Sequence, residues 1–180
     1  MKSVTVNGKR FVPYLSEEAL AEKVREIAVR LNNDLADKDP VFLGVLNGAF
    51  MFVADLFRQI NIPCEISFVK LASYSGMRST GSMKELIGLN ENLRGRHVVV
   101  VEDIVDTGNT IVALQAALES REPASVQICT LLCKPTALLH ELQLEYVALE
   151  VPEHFFLGYG LDFDGHGRNL PTLYHLEESE

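Results

Sequence analysis

The chain has 180 residues, of which 47% are hydrophobic and 23% charged, an ordinary composition for a globular domain with a full core. Its formal net charge of −9 argues against a nucleic-acid partner, because no basic patch is available to neutralise phosphates. No apolar run approaches the length of a signal peptide core or a membrane span, so we expect no membrane partner either.

Strands and helices alternate along the chain. Ser16 is a predicted cap for a helix that ends near positions 32–33, with apolar residues at helical spacing: Leu20, Val24, Ile27 and Leu31. The other predicted elements, in order, are a strand at 41–46, a helix at 49–60, strands at 64–71 and 98–101, a helix at 111–118, a strand at 126–133, a short helix at 136–142 and a strand at 146–151. This alternation predicts an α/β fold with a doubly wound parallel sheet, in a single domain spanning residues 1–180.

Between positions 73 and 92 the chain becomes polar and rich in small residues, beginning at Ser73 and Tyr74. Loops of this length without structure of their own are uncommon unless they cover an active site. A lid and a plain linker both remain open at this point.

Three cysteines, Cys64, Cys129 and Cys133, cannot all pair with one another. Cys129 and Cys133 lie in or beside an apolar run, which favours buried thiols over a disulfide framework. We therefore expect a reducing, cytoplasmic location.

The most informative stretch begins with four valines at 98–101, which lead directly into Glu102 and Asp103. A continuous β-branched run predicts a strand buried on both faces. The two acids then fall at its carboxyl end, where open α/β sheets bind ligands.

A turn of small and polar residues follows at 106–110 and leads into a predicted helix. Free N–H groups and the positive end of the helix dipole suit a phosphate there. Gly108 allows close backbone approach, and Thr107 and Thr110 can add hydroxyl donors. A plain loop with solvated acids, in which Asp106 or Thr107 caps the helix, is the alternative.

Acids beside an anion site need a cation between them and the ligand. Because all the available ligands are oxygens, the pattern favours Mg²⁺. The stretch matches neither a P-loop nor the Gly-x-Gly-x-x-Gly fingerprint.

The stretch 98–110 resembles the phosphoribosyl-pyrophosphate (PRPP) motif of type I phosphoribosyltransferases, and further blocks from Val41 to Leu170 are similar to the hypoxanthine-guanine phosphoribosyltransferases. The resemblance implies the type I fold, with a small hood built from both chain ends. It implies a purine salvage glycosyltransferase that transfers phosphoribosyl from PRPP to hypoxanthine or guanine, giving IMP or GMP plus pyrophosphate. Magnesium and a homodimer or homotetramer are implied as well.

The resemblance also assigns roles to residues that bind PRPP. Glu102 and Asp103 would hold the ribose hydroxyls and the metal, and Asp106 would act as the general base. Arg168 would reach the pyrophosphate, and Ser73 and Tyr74 would belong to the closing lid. The 5′-phosphate would be bound by Thr107, Gly108, Asn109 and Thr110.

The stretch 46–50, with Asn47 and Gly48, resembles the family's pyrophosphate loop, in which a cis peptide commonly precedes the second residue, here Asn47. Many relatives carry Lys or Arg where this chain has Asn47. That departure weakens the case for a strong side-chain contact with pyrophosphate, while backbone donation survives.

The purine site is implied by residues further along the chain. Lys134 would donate to the 6-oxo group, and Phe155 would stack on the base. The backbone of Phe156 would meet the base edge, and Asp162 would hold a second magnesium beside it. His166 is predicted to be a solvated loop residue.

Two alternatives are kept. One is a phosphoribosyltransferase that prefers xanthine, which Lys134 would serve equally well. The other is a PRPP-binding regulator without catalysis, which would need an added nucleic-acid-binding region for which this acidic chain has no room. Orotate or adenine enzymes fit less well, because Lys134 and the block 155–162 would have no role in them.

Overall fold

The computed structural model describes residues 2–73 and 84–177. In chain order the elements are β1 (Val4–Val6), β2 (Lys9–Leu15), α1 (Glu17–Asp34), β3 (Val41–Val45), α2 (Phe50–Phe57), β4 (Glu65–Ser73), β5 (Lys84–Ile87), β6 (His97–Val105), α3 (Asn109–Glu119), β7 (Ser125–Cys133), a 3₁₀ turn (Pro135–Ala137), β8 (Tyr146–Glu150), β9 (Phe156–Leu157) and β10 (Leu173–Leu176).

The larger sheet has six strands in the order β5-β4-β3-β6-β7-β8. Every pairing in it is parallel except that of β5 with β4. The carboxyl ends of the parallel strands therefore meet at one edge of the sheet, where the predicted acids and the predicted lysine lie. The predicted doubly wound parallel sheet is confirmed.

Helices cover this sheet on both faces, and the central strand β6 shows why. Val99 and Val101 belong to the hydrophobic core beneath α1 and α2, whereas Val98 and Val100 belong to the core beneath α3. All four side chains are at most 1% exposed. The run of valines thus forms a strand buried on both faces, as its composition predicts.

The predicted helix start at Ser16 is also confirmed, since the Ser16 side chain accepts a hydrogen bond from the Ala19 amide at 3.3 Å. Free thiols are found at all three cysteines; Cys129 and Cys133 are buried and Cys64 is half-buried. No helix within residues 2–73 and 84–177 is both long enough and apolar enough to cross a membrane.

A second, antiparallel sheet in the order β1-β2-β10-β9 combines both ends of the chain. Its own small core contains Phe11, Leu157 and Tyr174. This is the hood that the resemblance implied, although its strands were not predicted individually. It places β9, and with it the predicted purine-binding block, above the edge of the larger sheet.

Three predicted elements need correction. Strand β5 lies inside the stretch predicted to be a loop, because antiparallel pairing with β4 outweighs the weak strand propensity of its lysine and glutamate. The predicted helix at 136–142 is only a 3₁₀ turn, because the Leu139 amide donates to the Thr107 carbonyl at 3.0 Å instead of continuing a helix. Helix α2 ends at Phe57 and not at 60, as predicted. The Gln59 amide donates to the Leu56 carbonyl at 2.9 Å, three residues back, which is the hydrogen bond of a 3₁₀ turn and not of an α-helix.

Candidate active site

The sequence predicted that the two acids follow the end of their strand. In the structure they lie within strand β6. It continues to Val105, and Glu102 is paired in register with Thr130 of β7. Both acids line a cleft of about 320 Å³ at the carboxyl edge of the sheet. The other lining residues are Val45, Leu46, Gly48, Leu71, Ile104 and Thr110.

Glu102 is a buried acid with an unsatisfied oxygen. Only 5% of the residue is exposed, and Oε1 accepts a hydrogen bond from the Asp103 amide at 3.1 Å. Oε2 has no hydrogen-bond partner among the residues that the structure describes. Burial, and then the neighbouring Asp103 carboxylate, raise the pKa of Glu102 well above its ordinary value.

An unpaired buried carboxylate oxygen beside a second carboxylate fits a divalent cation. Oxygen donors are the ligands that Mg²⁺ prefers. Within the described ranges, however, no group of three or more His, Cys, Asp or Glu residues could hold a metal alone. A cation at Glu102 and Asp103 would therefore take most of its ligands from water or from a bound substrate.

The turn before α3 has the geometry of a phosphate cradle. Gly108 is the N-cap of α3 with φ +84°, and a Cβ atom there would lie 2.6 Å from Leu142 Cδ1. The Val112 amide donates to the Gly108 carbonyl at 3.1 Å, so the amides that precede it in the first turn have no helical acceptor. Gly108, and not Asp106 or Thr107, is the N-cap of α3, and Thr107 Oγ1 accepts a hydrogen bond from the Asn109 amide at 3.5 Å.

Residues after β7 support the cradle from outside. Besides the Leu139 amide on the Thr107 carbonyl, the Nε2 atom of His140 lies 2.7 Å from Asn109 Oδ1. Sequence reasoning missed His140, because a lone histidine in an exposed loop carries no signal of its own. Its contact becomes visible only when the loop is placed against the cradle.

Asp106 and Lys134 form an ion pair, with Nζ and Oδ2 2.7 Å apart. Strands β6 and β7 bring them together: Val105 pairs with Cys133, and the Lys134 amide donates to the Val105 carbonyl at 2.9 Å. The Lys134 side chain is 10% exposed and that of Asp106 is 50% exposed. A buried ammonium donor and an accessible carboxylate acceptor thus stand side by side.

The loop between β3 and α2 lies against the acids. The Leu46–Asn47 peptide is cis, as the resemblance implied, and the Asn47 side chain is exposed. Gly48 approaches so closely that a Cβ atom there would lie 1.6 Å from Asp103 Oδ2. Only glycine allows this contact between the loop and the carboxylate.

The two aromatic residues of the predicted purine block have different surroundings. Phe155 is 46% exposed, and its ring centroid lies 5.6 Å from that of Phe163. Phe156 is 4% exposed and packs edge-on against Tyr14 at 5.0 Å. Phe155 therefore offers an accessible ring, whereas the ring of Phe156 is enclosed in the core and its strand pairs with β10.

Asp162 and Arg168 are paired with each other. Arg168 Nη2 lies 2.8 Å from Asp162 Oδ1, and Arg168 Nη1 donates to the Gly160 carbonyl at 2.7 Å. Asp162 Oδ2 accepts from the Gly165 amide at 2.7 Å. The predicted contacts of Arg168 with pyrophosphate and of Asp162 with a metal remain predictions. His166 is exposed, as expected.

The predicted lid lies almost entirely outside the residues that the structure describes. Ser73 is the last residue of β4, and Tyr74 falls outside the described residues.

Taken together, the parallel sheet, the adjacent acids and the glycine-capped turn before α3 form a cleft at the strand ends, the place where α/β enzymes bind their ligands. A family model described as phosphoribosyl transferase domain matches residues 14–164. The chain belongs to this family, and in particular to its hypoxanthine and hypoxanthine-guanine phosphoribosyltransferases, with the type I fold.

Individual relatives support this assignment. Hypoxanthine phosphoribosyltransferase of Salmonella typhimurium is 41% identical over 86% of each chain. Hypoxanthine-guanine phosphoribosyltransferase of Streptococcus pneumoniae is 36% identical over 91% of this chain and 92% of its own. A crystal structure of hypoxanthine-guanine phosphoribosyltransferase from Bacillus anthracis superposes with a TM-score of 0.83 at 36% identity, covering 92% of this chain and 96% of that one.

Proposed function

We propose that this protein transfers the 5-phosphoribosyl group of PRPP to hypoxanthine or guanine, giving IMP or GMP and pyrophosphate. The observation that carries the proposal is the Asp106–Lys134 ion pair at the edge of the phosphate cradle. The family assignment and the names of the relatives support it.

The ion pair matches one edge of a 6-oxopurine. In such a base the 6-oxo oxygen and N7 lie next to each other, so an acceptor and a protonated nitrogen point the same way. The Lys134 ammonium donates to the oxygen, and the Asp106 carboxylate accepts the N7 proton. Phe155 stacks on the base through its exposed ring, and the backbone of Phe156 meets the base edge.

Asp106 acts as the general base of the transfer. The bond between C1′ and the pyrophosphate oxygen breaks, and the bond between C1′ and N9 forms with inversion. The proton on N7 passes to Asp106 as N9 loses its electron pair to the new bond. Pyrophosphate leaves with the electrons of the broken bond.

PRPP is held on both sides of this centre. The first-turn amides of α3 bind its 5′-phosphate, with Thr107, Gly108, Asn109 and Thr110 around them. Glu102 and Asp103 would hold its ribose hydroxyls together with Mg²⁺, which would neutralise charge on the pyrophosphate. The loop of Asn47 and Gly48 donates backbone N–H groups to the pyrophosphate.

Three further groups complete the proposed site. Arg168 would reach the pyrophosphate after its ion pair with Asp162 opens, and Asp162 would then help to hold a second Mg²⁺. Ser73 and Tyr74 belong to a lid that keeps water from the oxocarbenium-like centre, where it would hydrolyse PRPP.

An end-point assay tests the proposal directly. The protein is incubated with PRPP and Mg²⁺ against hypoxanthine, guanine, xanthine and adenine separately, and the nucleotide formed is measured. We expect IMP and GMP to form and adenine to remain unused. Faster turnover of xanthine would replace the substrate assignment, and PRPP binding without any nucleotide would indicate a regulator.

We also propose a cytoplasmic homodimer or homotetramer. Ile66 and Phe68 share one face of β4 and are 38% and 40% exposed, and Phe50 at the start of α2 is 42% exposed. Large apolar side chains exposed together favour burial against a second copy. Sedimentation equilibrium measures the mass in solution, and a monomer at micromolar concentration would contradict the proposal.

A further inference from the structure

A tight turn at Gly158–Leu161 connects the purine-binding block to Asp162. It is closed by two backbone hydrogen bonds, from the Gly158 amide to the Leu161 carbonyl at 3.0 Å and from the Leu161 amide to the Gly158 carbonyl at 3.1 Å. The turn has no part in the function proposed above. Its two central residues, Tyr159 and Gly160, nevertheless contact the segment that carries the pyrophosphate loop.

Tyr159 is anchored to helix α2. The residue is 3% exposed, and its hydroxyl donates to Asp55 Oδ2 at 2.7 Å. Burial and the Asp55 carboxylate raise the pKa of Tyr159, so the hydroxyl keeps its proton and remains a donor. The backbone of Tyr159 has φ +49°, a conformation that a non-glycine residue holds only when its surroundings impose it.

Gly160 lies directly on the pyrophosphate loop. It has φ +99°, and a Cβ atom there would lie 2.1 Å from the Gly48 carbonyl oxygen. Gly48 is in turn the residue whose Cα faces the Asp103 carboxylate. The loop is therefore enclosed between the turn on one side and the acid of β6 on the other.

The two contacts reach one continuous piece of chain. Helix α2 begins at Phe50, directly after the pyrophosphate loop, and Asp55 lies within that helix. The hydrogen bond from Tyr159 to Asp55 thus fixes the distance between the turn and the helix, while Gly160 rests on the carbonyl just before the helix begins.

We propose that Tyr159 is a positioning residue for pyrophosphate: its hydroxyl, through Asp55, seats the turn on the Gly48 carbonyl and so holds the backbone of the loop in place. This inference rests on the proposed function. It predicts a selective effect, because the loop binds the pyrophosphate part of PRPP and would not contact a ligand that lacks pyrophosphate. Loss of the hydroxyl should therefore weaken the binding of pyrophosphate and PRPP and leave the binding of IMP unaffected.

Tyr159→Phe tests this inference because it removes the hydroxyl and keeps the ring. Binding of magnesium pyrophosphate and of IMP is measured by calorimetry, alongside the KM for PRPP. We expect the Kd of pyrophosphate and the KM of PRPP to rise roughly tenfold, since the turn loses the hydrogen bond that ties it to α2 beside the loop, and the Kd of IMP to change by less than about twofold.

A second tyrosine–aspartate pair provides the matched control. Tyr146 donates to Asp34 Oδ2 at 3.1 Å, and neither residue contacts the site. Tyr146→Phe should lower the melting temperature without changing the Kd of pyrophosphate. The partner residue gives a conservative rescue: Asp55→Asn keeps an oxygen that accepts from Tyr159 and should behave like the wild type, whereas Asp55→Ala should behave like Tyr159→Phe.

Two outcomes would overturn the inference: an unchanged pyrophosphate Kd, or a parallel rise in the Kd of pyrophosphate and of IMP, which is the mark of a purely structural role. If Tyr159→Phe does not fold, the comparison of Asp55→Ala with Asp55→Asn decides by the same criterion. A wild-type protein that binds neither pyrophosphate nor IMP would instead contradict the proposed function.

Discussion

Glu102 shows how a single residue can be unfavourable for the fold and useful for the site. Its carboxylate is buried, one of its oxygens has no partner among the described residues, and its pKa is raised by burial and by Asp103. A protein keeps such a group only where something else compensates it. In the proposed reaction that compensation comes from Mg²⁺ and PRPP.

The stability of the ligand-free protein should reflect this arrangement. Because the pKa of Glu102 is higher in the folded than in the unfolded state, stability falls as the pH rises from about 4.5 towards the folded pKa. Glu102→Gln cannot ionise, so its stability should not fall in this way, and the variant should be more stable than the wild type at pH 8 but not at pH 4. It should also lose most of the activity. Urea unfolding of both proteins at the two pH values measures the difference. An advantage that does not grow with pH would show that the Glu102 charge is tolerated in the fold.

Asp106 should matter for turnover more than for binding. Asp106→Asn keeps the shape of the residue but cannot take the N7 proton, so kcat should fall roughly 10²-fold while the Kd of PRPP changes little. Steady-state kinetics and calorimetry separate the two quantities. A kcat within about threefold of wild type would remove Asp106 from the mechanism.

Lys134 should decide between oxo and amino purines. An ammonium has only donors, so a 6-amino group would leave it desolvated and unpaired, and such sites can reject the wrong analogue by roughly 10⁴-fold. Lys134→Ala should lose most activity with hypoxanthine. It should also lower the ratio of kcat/KM for hypoxanthine to that for adenine, because the hydrogen bond to the oxo group and the cost of an unpaired ammonium are removed together. The ratio of kcat/KM for the two bases is the measurement. An unchanged hypoxanthine rate would contradict the assignment.

At the scale of elements, the site is built where parallel strands end. The motif on β6, its turn and α3 is contiguous in sequence, and β3 and β7 end at the same edge of the sheet. These contributions were predictable, because a buried run, an acid pair and a small-residue turn each carry a local signal. Glu102, Asp103 and Lys134 could be assigned to one edge because they follow the predicted strands at 98–101 and 126–133 of a parallel sheet.

Contacts between elements distant in sequence could not be predicted in the same way. The Asp106–Lys134 ion pair depends on the register of β6 against β7, and the His140 contact depends on how a loop folds back after β7. Strand β5 has little strand propensity and exists because β4 offers it an edge. Sequence periodicity predicts neither these two contacts nor strand β5.

The cradle turn allows a test of backbone geometry. Gly108→Ala introduces a Cβ atom at φ +84° and 2.6 Å from Leu142 Cδ1, so we expect a loss of about 1–3 kcal/mol in stability and at least a tenfold rise in the KM for PRPP. Gly95→Ala is the matched control, since Gly95 has φ +71° with nothing within 4 Å of an added Cβ. It should lower stability to a smaller extent and leave the KM unchanged. A similar KM for both variants would show that Gly108 has no part in binding PRPP.

At the scale of the whole molecule, a chain with net charge −9 is expected to bind a strongly anionic substrate. Repulsion between them must be overcome locally, and in the proposed site the helix amides, Arg168 and the metal would do so. Removing Mg²⁺ with excess chelator should abolish turnover and raise the Kd of PRPP at least tenfold, and added Mg²⁺ should restore both. Undiminished turnover in chelator would contradict the metal assignment.

The hood has a consequence for how the two halves of the site are assembled. Strand β2 pairs with β10, so that Val12 is in register with His175 from the opposite end of the chain. The PRPP motif needs only neighbouring segments, whereas the purine-binding block needs a contact of very long sequence separation, whose closure is entropically expensive and late in folding. A chain emerging from the ribosome can thus complete the turn proposed to bind the 5′-phosphate before the strands of the hood pair with one another. We expect partial unfolding to release the hood first, which would remove the stacking ring of Phe155 while the turn before α3 stays folded.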